Sequence, residues 1–397
     1  MVGIFRNTPS TAQVARSVAA SRRYGIEAAD AVHRLLEHCP RFRPTPLHGL
    51  DTAAAELGVG ALWLKDERER LGLGSFKALG GAYAVLRLAV EAAAATGGPT
   101  DMAELVAAAH DGGWRGPLTV ATATAGNHGR SVAAGAALAG ARCVIFVYDG
   151  VPRDQIAAIA RHGADIVHVA GVYEAAVAAC RARAAKEGWT IVADTSWPGY
   201  DDIPGRVMQG YTAMAAEAFD QMPAAPTHVL LQAGVGGMAA SVAAHAAMRF
   251  GAARPRIVIV EPQAAACLLA SARAGCLTDS ALGERTIMGR LECSVPSPIA
   301  WEIVGGLADA FLAVSDAAAA RAVRWLAARG IETSPSGAAG VAGLLALLEH
   351  PAIVASLGLG RDSRVLAFVT EAATADDRAL RARSEWSGAA AAMDEVP

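Results

Sequence analysis

Lys77 is the residue of this chain whose type and setting most invite chemistry. Only three of the 35 basic side chains are lysines, Lys65, Lys77 and Lys186; arginine serves everywhere else. Lys77 lies in Gly72-Leu73-Gly74-Ser75-Phe76-Lys77-Ala78-Leu79-Gly80-Gly81, an apolar, glycine-flanked stretch. A lysine in such a setting can shed its proton, as arginine cannot, and attack a carbonyl as a neutral amine. The plainer alternative is a helix lysine that snorkels to water along its own stem. Lys65, followed by Asp66 and Glu67, and Lys186, beside Glu187, read as solvated charges.

Two glycine-bearing turns join Lys77 as candidates. Thr122-Ala123-Thr124-Ala125-Gly126-Asn127-His128-Gly129-Arg130 follows an apolar strand and opens a helix. Small residues there turn backbone amides toward a carboxylate at a helix N-terminus, and Asn127 adds a donor for a ring hydroxyl or phenolate. An ordinary turn with Asn127 as helix cap fits the same residues. Gln232-Ala233-Gly234-Val235-Gly236-Gly237-Met238-Ala239 again links strand to helix, and its amides suit a phosphate. Gly234, Gly236 and Ala239 also satisfy GxGxx(G/A), with Glu261 ending the next strand where a ribose-binding acid would lie. A nicotinamide dehydrogenase therefore competes on this loop, although it leaves Lys77 without a role.

The elements that must hold these residues read as alternating strands and helices. Strands are expected at 61–64, 118–121, 142–148, 165–169, 190–193, 228–232, 256–260 and 365–369. Helices are expected at 76–90, 128–138, 152–162, 172–186, 238–250, 317–328 and 337–348. Apolar strands alternating with helices of this length imply α/β architecture with parallel sheets covered on both faces. The stretch 96–116 is polar and glycine-rich and reads as a loop or lobe junction. At 397 residues with 53% apolar and 18% charged content, the chain can fill two domains or one two-lobed unit. A net charge of −3 without basic clusters argues against a nucleic-acid partner. No signal pattern opens the chain, and the apolar run 338–348 is too short to span a membrane, so no membrane partner is expected. Six scattered cysteines without a CxxC pair favour free thiols and a cytoplasmic setting, and ten histidines without HExxH spacing argue against a bound catalytic metal.

The lysine, the asparagine turn some 50 residues on and the later glycine loop together resemble the fold-type II pyridoxal-phosphate enzymes, the tryptophan synthase β group. Within it the chain is most similar to the diaminopropionate ammonia-lyase family, over roughly Arg43 to Asp377. The motifs are Arg43-Pro44-Thr45-Pro46-Leu47, Ser75-Phe76-Lys77 with Gly80-Gly81, and Gly126-Asn127-His128-Gly129-Arg130. More specific still are Asp194-Thr195-Ser196-Trp197 with Gly199-Tyr200 and Ile203-Pro204, Met208-Gln209-Gly210-Tyr211, Thr286-Ile287-Met288, and Trp301-Glu302. The resemblance implies two lobes, each with a mainly parallel sheet flanked by helices, and pyridoxal 5'-phosphate at the lobe interface. It implies a large discontinuous cofactor domain of residues 1–90 and 196–397, a small domain of 91–195, and a homodimer. It makes Lys77 and Asp194 catalytic, and gives the cofactor Phe76, Lys77, Asn127, Gly234, Val235, Gly236, Gly237 and Met238. Thr370 and Ser336 compete to face the ring nitrogen, and Thr124, Ala125, Gly126 and His128 bind substrate.

Three departures qualify what the resemblance implies. Ala125 stands where the family carries an aspartate thought to act as base on one substrate enantiomer. The family's Glu-Ser-Gly is Ser334-Pro335-Ser336-Gly337 here, and its Thr-Glu-Gly-Asp-Thr-Asp is Thr370-Glu371-Ala372-Ala373-Thr374-Ala375. The expected activity is α,β-elimination of an amino acid such as 2,3-diaminopropionate to pyruvate and ammonia, with the L-isomer preferred. Lys77 would take the Cα proton, and Asp194 would keep the β-nitrogen as an ammonium leaving group. Rival readings are a serine or threonine dehydratase, a β-replacement enzyme, a ligand-binding homologue without turnover and, more remotely, the dehydrogenase.

Overall fold

The computed structural model describes residues 3–110, 116–124, 126–281 and 285–382. The chain divides into two compact units, one of Met1–Gly25, Thr45–Glu69 and Met214–Pro397, the other of Ile26–Pro44 and Arg70–Ala213. In the first unit a seven-stranded sheet runs Gly3–Arg6, Ala310–Val314, Arg256–Pro262, His228–Gln232, Arg364–Val369, Ala61–Asp66, Leu47–Gly49. The five inner strands pair in parallel and the two edges are antiparallel. His228–Gln232 and Ala310–Val314 are buried at every residue, which explains the apolar Val229-Leu230-Leu231 of the first and the unbroken apolar sequence of the second. The Pro335–Leu348 helix packs on this sheet. Its glycines set the distance: a Cβ at Gly343 would lie 2.5 Å from Val260 Cγ2. Each fully buried Leu, Val or Ile in this core contributes roughly 1.5–3 kcal/mol.

The second unit holds a parallel four-stranded sheet in the order Asp165–Val169, Arg142–Tyr148, Thr119–Ala123, Thr190–Ile191. Its principal helix pair is Lys77–Ala95 against Asn127–Leu138. Small residues let the two backbones approach, because a Cβ at Gly81 would sit 2.5 Å from Ser131 Oγ and one at Gly135 2.9 Å from Ala82 Cα. Ser131 bridges the pair, accepting from Ala82 N and donating to Ala78 O, both at 2.9 Å. Lys77–Ala95 has the length and hydropathy of a membrane span, unlike the shorter run 338–348, but most of its apolar window is buried in this packing.

Three expectations are revised. The compact units put 26–44, 70–90 and 196–213 together with 91–195, whereas the sequence division gave those segments to the large domain. Residues 70–90 are drawn there by the close packing of their glycine-rich helix. The stretch 96–116 is not simply a loop, since Met102–His110 is helical and belongs to the second unit. Lys65 is not solvated: it is fully buried, and its Nζ donates to Thr45 O at 2.7 Å, Glu217 Oε2 at 2.8 Å and Gln221 Oε1 at 2.9 Å. Three acceptors satisfy all three ammonium protons, which is what makes a buried lysine tolerable.

Candidate active site

Lys77 is the first residue of its helix, and its Nζ makes an ion pair with Asp194 Oδ2. The two side chains remain 24% and 20% exposed, so the pair is sheltered and still reachable. Phe76 flanks it, with its ring centroid 6.0 Å from Nζ and 4.9 Å from the Tyr211 ring. Tyr211 fits because its neighbours have no side chains. A Cβ on Gly80 would meet Tyr211 Cε1 at 2.5 Å, and one on Gly210 would lie 2.7 Å from Gly80 Cα. The Met208-Gln209-Gly210-Tyr211 motif thus seats one aromatic ring beside the lysine.

Asp194 follows the Thr190–Ile191 strand. Tyr200 fixes this segment, its hydroxyl donating to Ile191 O at 2.7 Å and accepting from Ala193 N at 3.2 Å. Pro198 and Gly199 make the turn that returns Tyr200, with Gly199 at φ 82° and Trp197 stacked on Tyr200 at 4.0 Å. Burial opposes ionisation of Asp194, but the Lys77 charge, then His128 and the Lys77 hydrogen bond, outweigh it and hold the carboxyl below the usual carboxylate range. His128 is buried, and burial, with Lys77 adding and Asp194 opposing, depresses its imidazolium. Its Nε2 lies 2.8 Å from Val192 O, which only accepts, so Nε2 carries the proton and the buried Nδ1 has no partner among the described residues.

The asparagine turn is built by Thr124. Its Oγ1 accepts from Gly126 N at 3.1 Å and Gly129 N at 3.3 Å, so it works as a cap for the Asn127–Leu138 helix. Asn127 Oδ1 accepts from Arg130 Nη2 at 2.6 Å, which leaves the amide nitrogen as the side chain's donor. Ala125, expected in the substrate site, lies outside the described residues.

The glycine loop belongs to the first unit, between the His228–Gln232 strand and the Gly237–Phe250 helix. Gly236 has φ 99°, the left-handed region where glycine is at ease. Ser297 N donates to Val235 O at 3.0 Å, and Cys267 Sγ lies 3.6 Å from Gly234 O. With those carbonyls tied, the amides of Gly234, Val235 and Gly236 donate to no protein acceptor among the described residues. Successive amides without a protein acceptor among the described residues, at a helix N-terminus ahead of Gly237 and Met238, suit a phosphate. Glu261 does not act as a ribose ligand. It is fully buried, accepts from Leu268 N at 2.8 Å and Leu269 N at 2.7 Å, and is pushed up to about 8 by burial. That makes it a helix cap and removes the support for a dinucleotide fingerprint.

Thr370 and Ser336 are both buried in the same unit. Ser336 Oγ accepts from Arg290 N at 3.2 Å, and Thr370 Oγ1 from Gln232 Nε2 at 3.2 Å. The two departed segments close on each other: Ser334 donates to Glu371 Oε1 and caps Gly337 N at 2.9 Å, and Arg290 reaches Glu371 at 3.0 Å and Asp377 at 3.2 Å. Gln232, Tyr200 and Arg290 were not singled out by sequence reasoning. Tyr200 was visible only as part of a motif, and Gln232 only as the polar end of an apolar strand.

The model of the family described as "Pyridoxal-phosphate dependent enzyme" matches residues 39–371. The chain belongs to this family. It is 37% identical over 344 residues to the diaminopropionate ammonia-lyase of Escherichia coli strain K12, covering 84% of this chain and 85% of that one. To the Salmonella typhimurium diaminopropionate ammonia-lyase it is 34% identical over 365 residues, covering 87% and 89%. Among solved structures, the E. coli diaminopropionate ammonia lyase in complex with D-serine superposes with a TM-score of 0.84 at 32% identity, covering 98% of this chain and 97% of that one. The same enzyme with an aminoacrylate–pyridoxal-phosphate azomethine intermediate gives a TM-score of 0.83. The fold is that of the fold-type II enzymes, and the protein is a pyridoxal-phosphate-dependent enzyme.

Proposed function

We propose that this chain eliminates ammonia from 2,3-diaminopropionate, releasing pyruvate, with preference for the L-isomer. Bound pyridoxal phosphate would supply electron withdrawal from the substrate's Cα. Taken by themselves, the amides of Gly234 to Gly236 in the first unit, which meet no protein acceptor among the described residues, suit its phosphate, and in the second unit the partly exposed Lys77 amine suits its aldehyde. Lys77 would hold the cofactor through Nζ and, once released, carry the Cα proton. Asp194 would hold the β-nitrogen as an ammonium, without which an amine leaves poorly. The Lys77–Asp194 ion pair carries this reading, because an ionised carboxylate beside the reactive amine suits a cationic β-substituent better than a hydroxyl. Relatives at 34–37% identity named diaminopropionate ammonia-lyase support the same substrate. The L-preference rests on Ala125 standing where the family carries an aspartate, since a methyl group cannot act as a base. Buried free thiols, with Cys39 and Cys143 pushed up to about 12 by burial, accord with a reducing cytoplasmic setting, and a homodimer completes the proposal.

The purified protein should be yellow, lose that absorption on borohydride treatment, and release pyruvate faster from L-diaminopropionate than from its D-isomer, L-serine or L-threonine. Faster turnover of serine or threonine would make it a dehydratase. Comparable rates on both enantiomers would refute the role given to Ala125.

A further inference from the structure

We propose that Gln232 is a positioning residue that sets the direction of the Thr370 hydroxyl proton, and through it the protonation state of the cofactor's ring nitrogen. Gln232 ends the His228–Gln232 strand and is 2% exposed. Its Nε2 lies 3.0 Å from Gly337 O, 3.0 Å from Phe368 O and 3.2 Å from Thr370 Oγ1. The two carbonyls only accept, so they fix which end of the amide is nitrogen; the opposite assignment would press Oε1 against two oxygens. An amide nitrogen cannot accept. Thr370 Oγ1 is therefore the acceptor in the third contact, and its own proton points away from Gln232.

Among the described residues that proton meets no acceptor. Thr370 is 3% exposed and directly follows the Arg364–Val369 strand, which pairs in parallel with His228–Gln232. The strand carrying Gln232 leads into the loop of unpaired amides at Gly234 to Gly236. A phosphate cradle and a buried hydroxyl donor thus emerge from the same end of neighbouring strands, the side on which α/β sheets collect ligands. A hydroxyl whose proton is held outward matches a neutral pyridine nitrogen, which accepts, and mismatches a pyridinium, which donates. Ser336 is the weaker candidate. Its Oγ accepts from Arg290 N, and no neighbour of comparable rigidity aims its proton.

Gln232 itself is locked by packing. Its Oε1 is buried without a partner among the described residues and faces Gly340, where a Cβ would come within 2.8 Å. An unpaired buried oxygen is unfavourable, and its presence indicates that the amide is kept for what its nitrogen does.

This inference rests on the cofactor reading and is tested apart from activity. The holoenzyme is reconstituted with pyridoxal phosphate labelled with nitrogen-15 in the ring, and the ring resonance is followed by NMR. The wild type should show the neutral pyridine position. Gln232→Glu, held as a neutral acid that donates to one of the two carbonyls, lets its hydroxyl oxygen accept from Thr370 and turns that proton inward, so the resonance should move upfield toward pyridinium. Gln232→Leu frees the hydroxyl and should make the nitrogen titrate with pH. Thr370→Val should displace the resonance, Thr370→Ser should restore it, and Ser336→Ala should leave it unchanged. The proposal is overturned if yellow, folded Gln232 variants keep the wild-type resonance, or if Ser336→Ala moves it while Thr370→Val does not. A wild type that stays colourless with the cofactor would instead remove the cofactor reading itself.

Discussion

Asp194 is charged because of its neighbours, and that fixes how it should respond to pH. Burial alone would raise its carboxyl, and the Lys77 charge, His128 and the Lys77 hydrogen bond together lower it further than burial raises it. A carboxyl depressed by folding contributes stability above its unfolded value of about 4 and loses it as pH falls through the lower folded value. In the cofactor-free protein Asp194 should therefore stay ionised through mildly acidic pH. Asp194→Asn is expected to keep the yellow colour while reducing kcat/KM for L-diaminopropionate by roughly 10²–10⁴-fold, the usual contribution of a positioned acid or base. In the cofactor-free protein it should also remove part of the stability loss expected below about pH 4 in urea titrations, the rest belonging to other depressed carboxyls such as Asp66 and Asp377. Full activity in a folded, yellow Asp194→Asn would reject the role. Lys77 was picked out in the sequence because lysine is so scarce that its context stands out, whereas Asp194 was named only through the family resemblance of its segment. Gln232 was not, since its meaning lies in three acceptors contributed by residues more than 100 positions away.

At the level of elements, several strands were legible because short β-branched and apolar runs stand between glycine-bearing turns, and 142–148, 165–169 and 228–232 match their observed bounds. The helix Asp202–Gln221 was not, since Pro204 and Gly210 hide its periodicity. The strand Ala310–Val314 was missed because its sequence, Ala-Phe-Leu-Ala-Val, reads equally as helix. Glycines within helices mark where backbones meet. Gly80→Ala puts a methyl 2.5 Å from Tyr211 Cε1 and 2.7 Å from Val207 O. Because one obstacle is backbone, the expected cost is about 1–3 kcal/mol in urea unfolding, with weakened cofactor loading as Tyr211 and Phe76 shift. An unaltered midpoint would show that this helix contact is soft. Lys65→Met should be costlier, about 3–5 kcal/mol, because it leaves buried Glu217 without its counter-charge. Lys65→Met with Glu217→Leu should recover part of that loss. If the double variant is no better than the single, the ion pair is not what holds the segment.

For the molecule as a whole, cofactor and stability should be linked. Any ligand that binds the folded state alone stabilises it, by about 2.7 kcal/mol at a concentration 100 times its Kd. The unpaired amides at Gly234, Val235 and Gly236 suggest that part of this gain is anion capture by a preformed cradle. Gly236 has φ 99°, and a Cβ there would lie 3.1 Å from Leu268 Cδ1, so Gly236→Val strains the loop twice. Stripping the cofactor should lower Tm by several degrees, and adding pyridoxal phosphate should restore it. Gly236→Val should begin lower and recover little at the same cofactor concentration, while pyridoxal lacking the phosphate should affect both proteins about equally. Lysine scarcity narrows the readout: Lys65 is buried among three acceptors, so at one equivalent of cofactor borohydride should fix the label on Lys77, and exposed Lys186 is the one competing position. A protein that turns yellow without any rise in Tm, or a Gly236→Val that recovers as fully as the wild type, would show that the loop is only a turn.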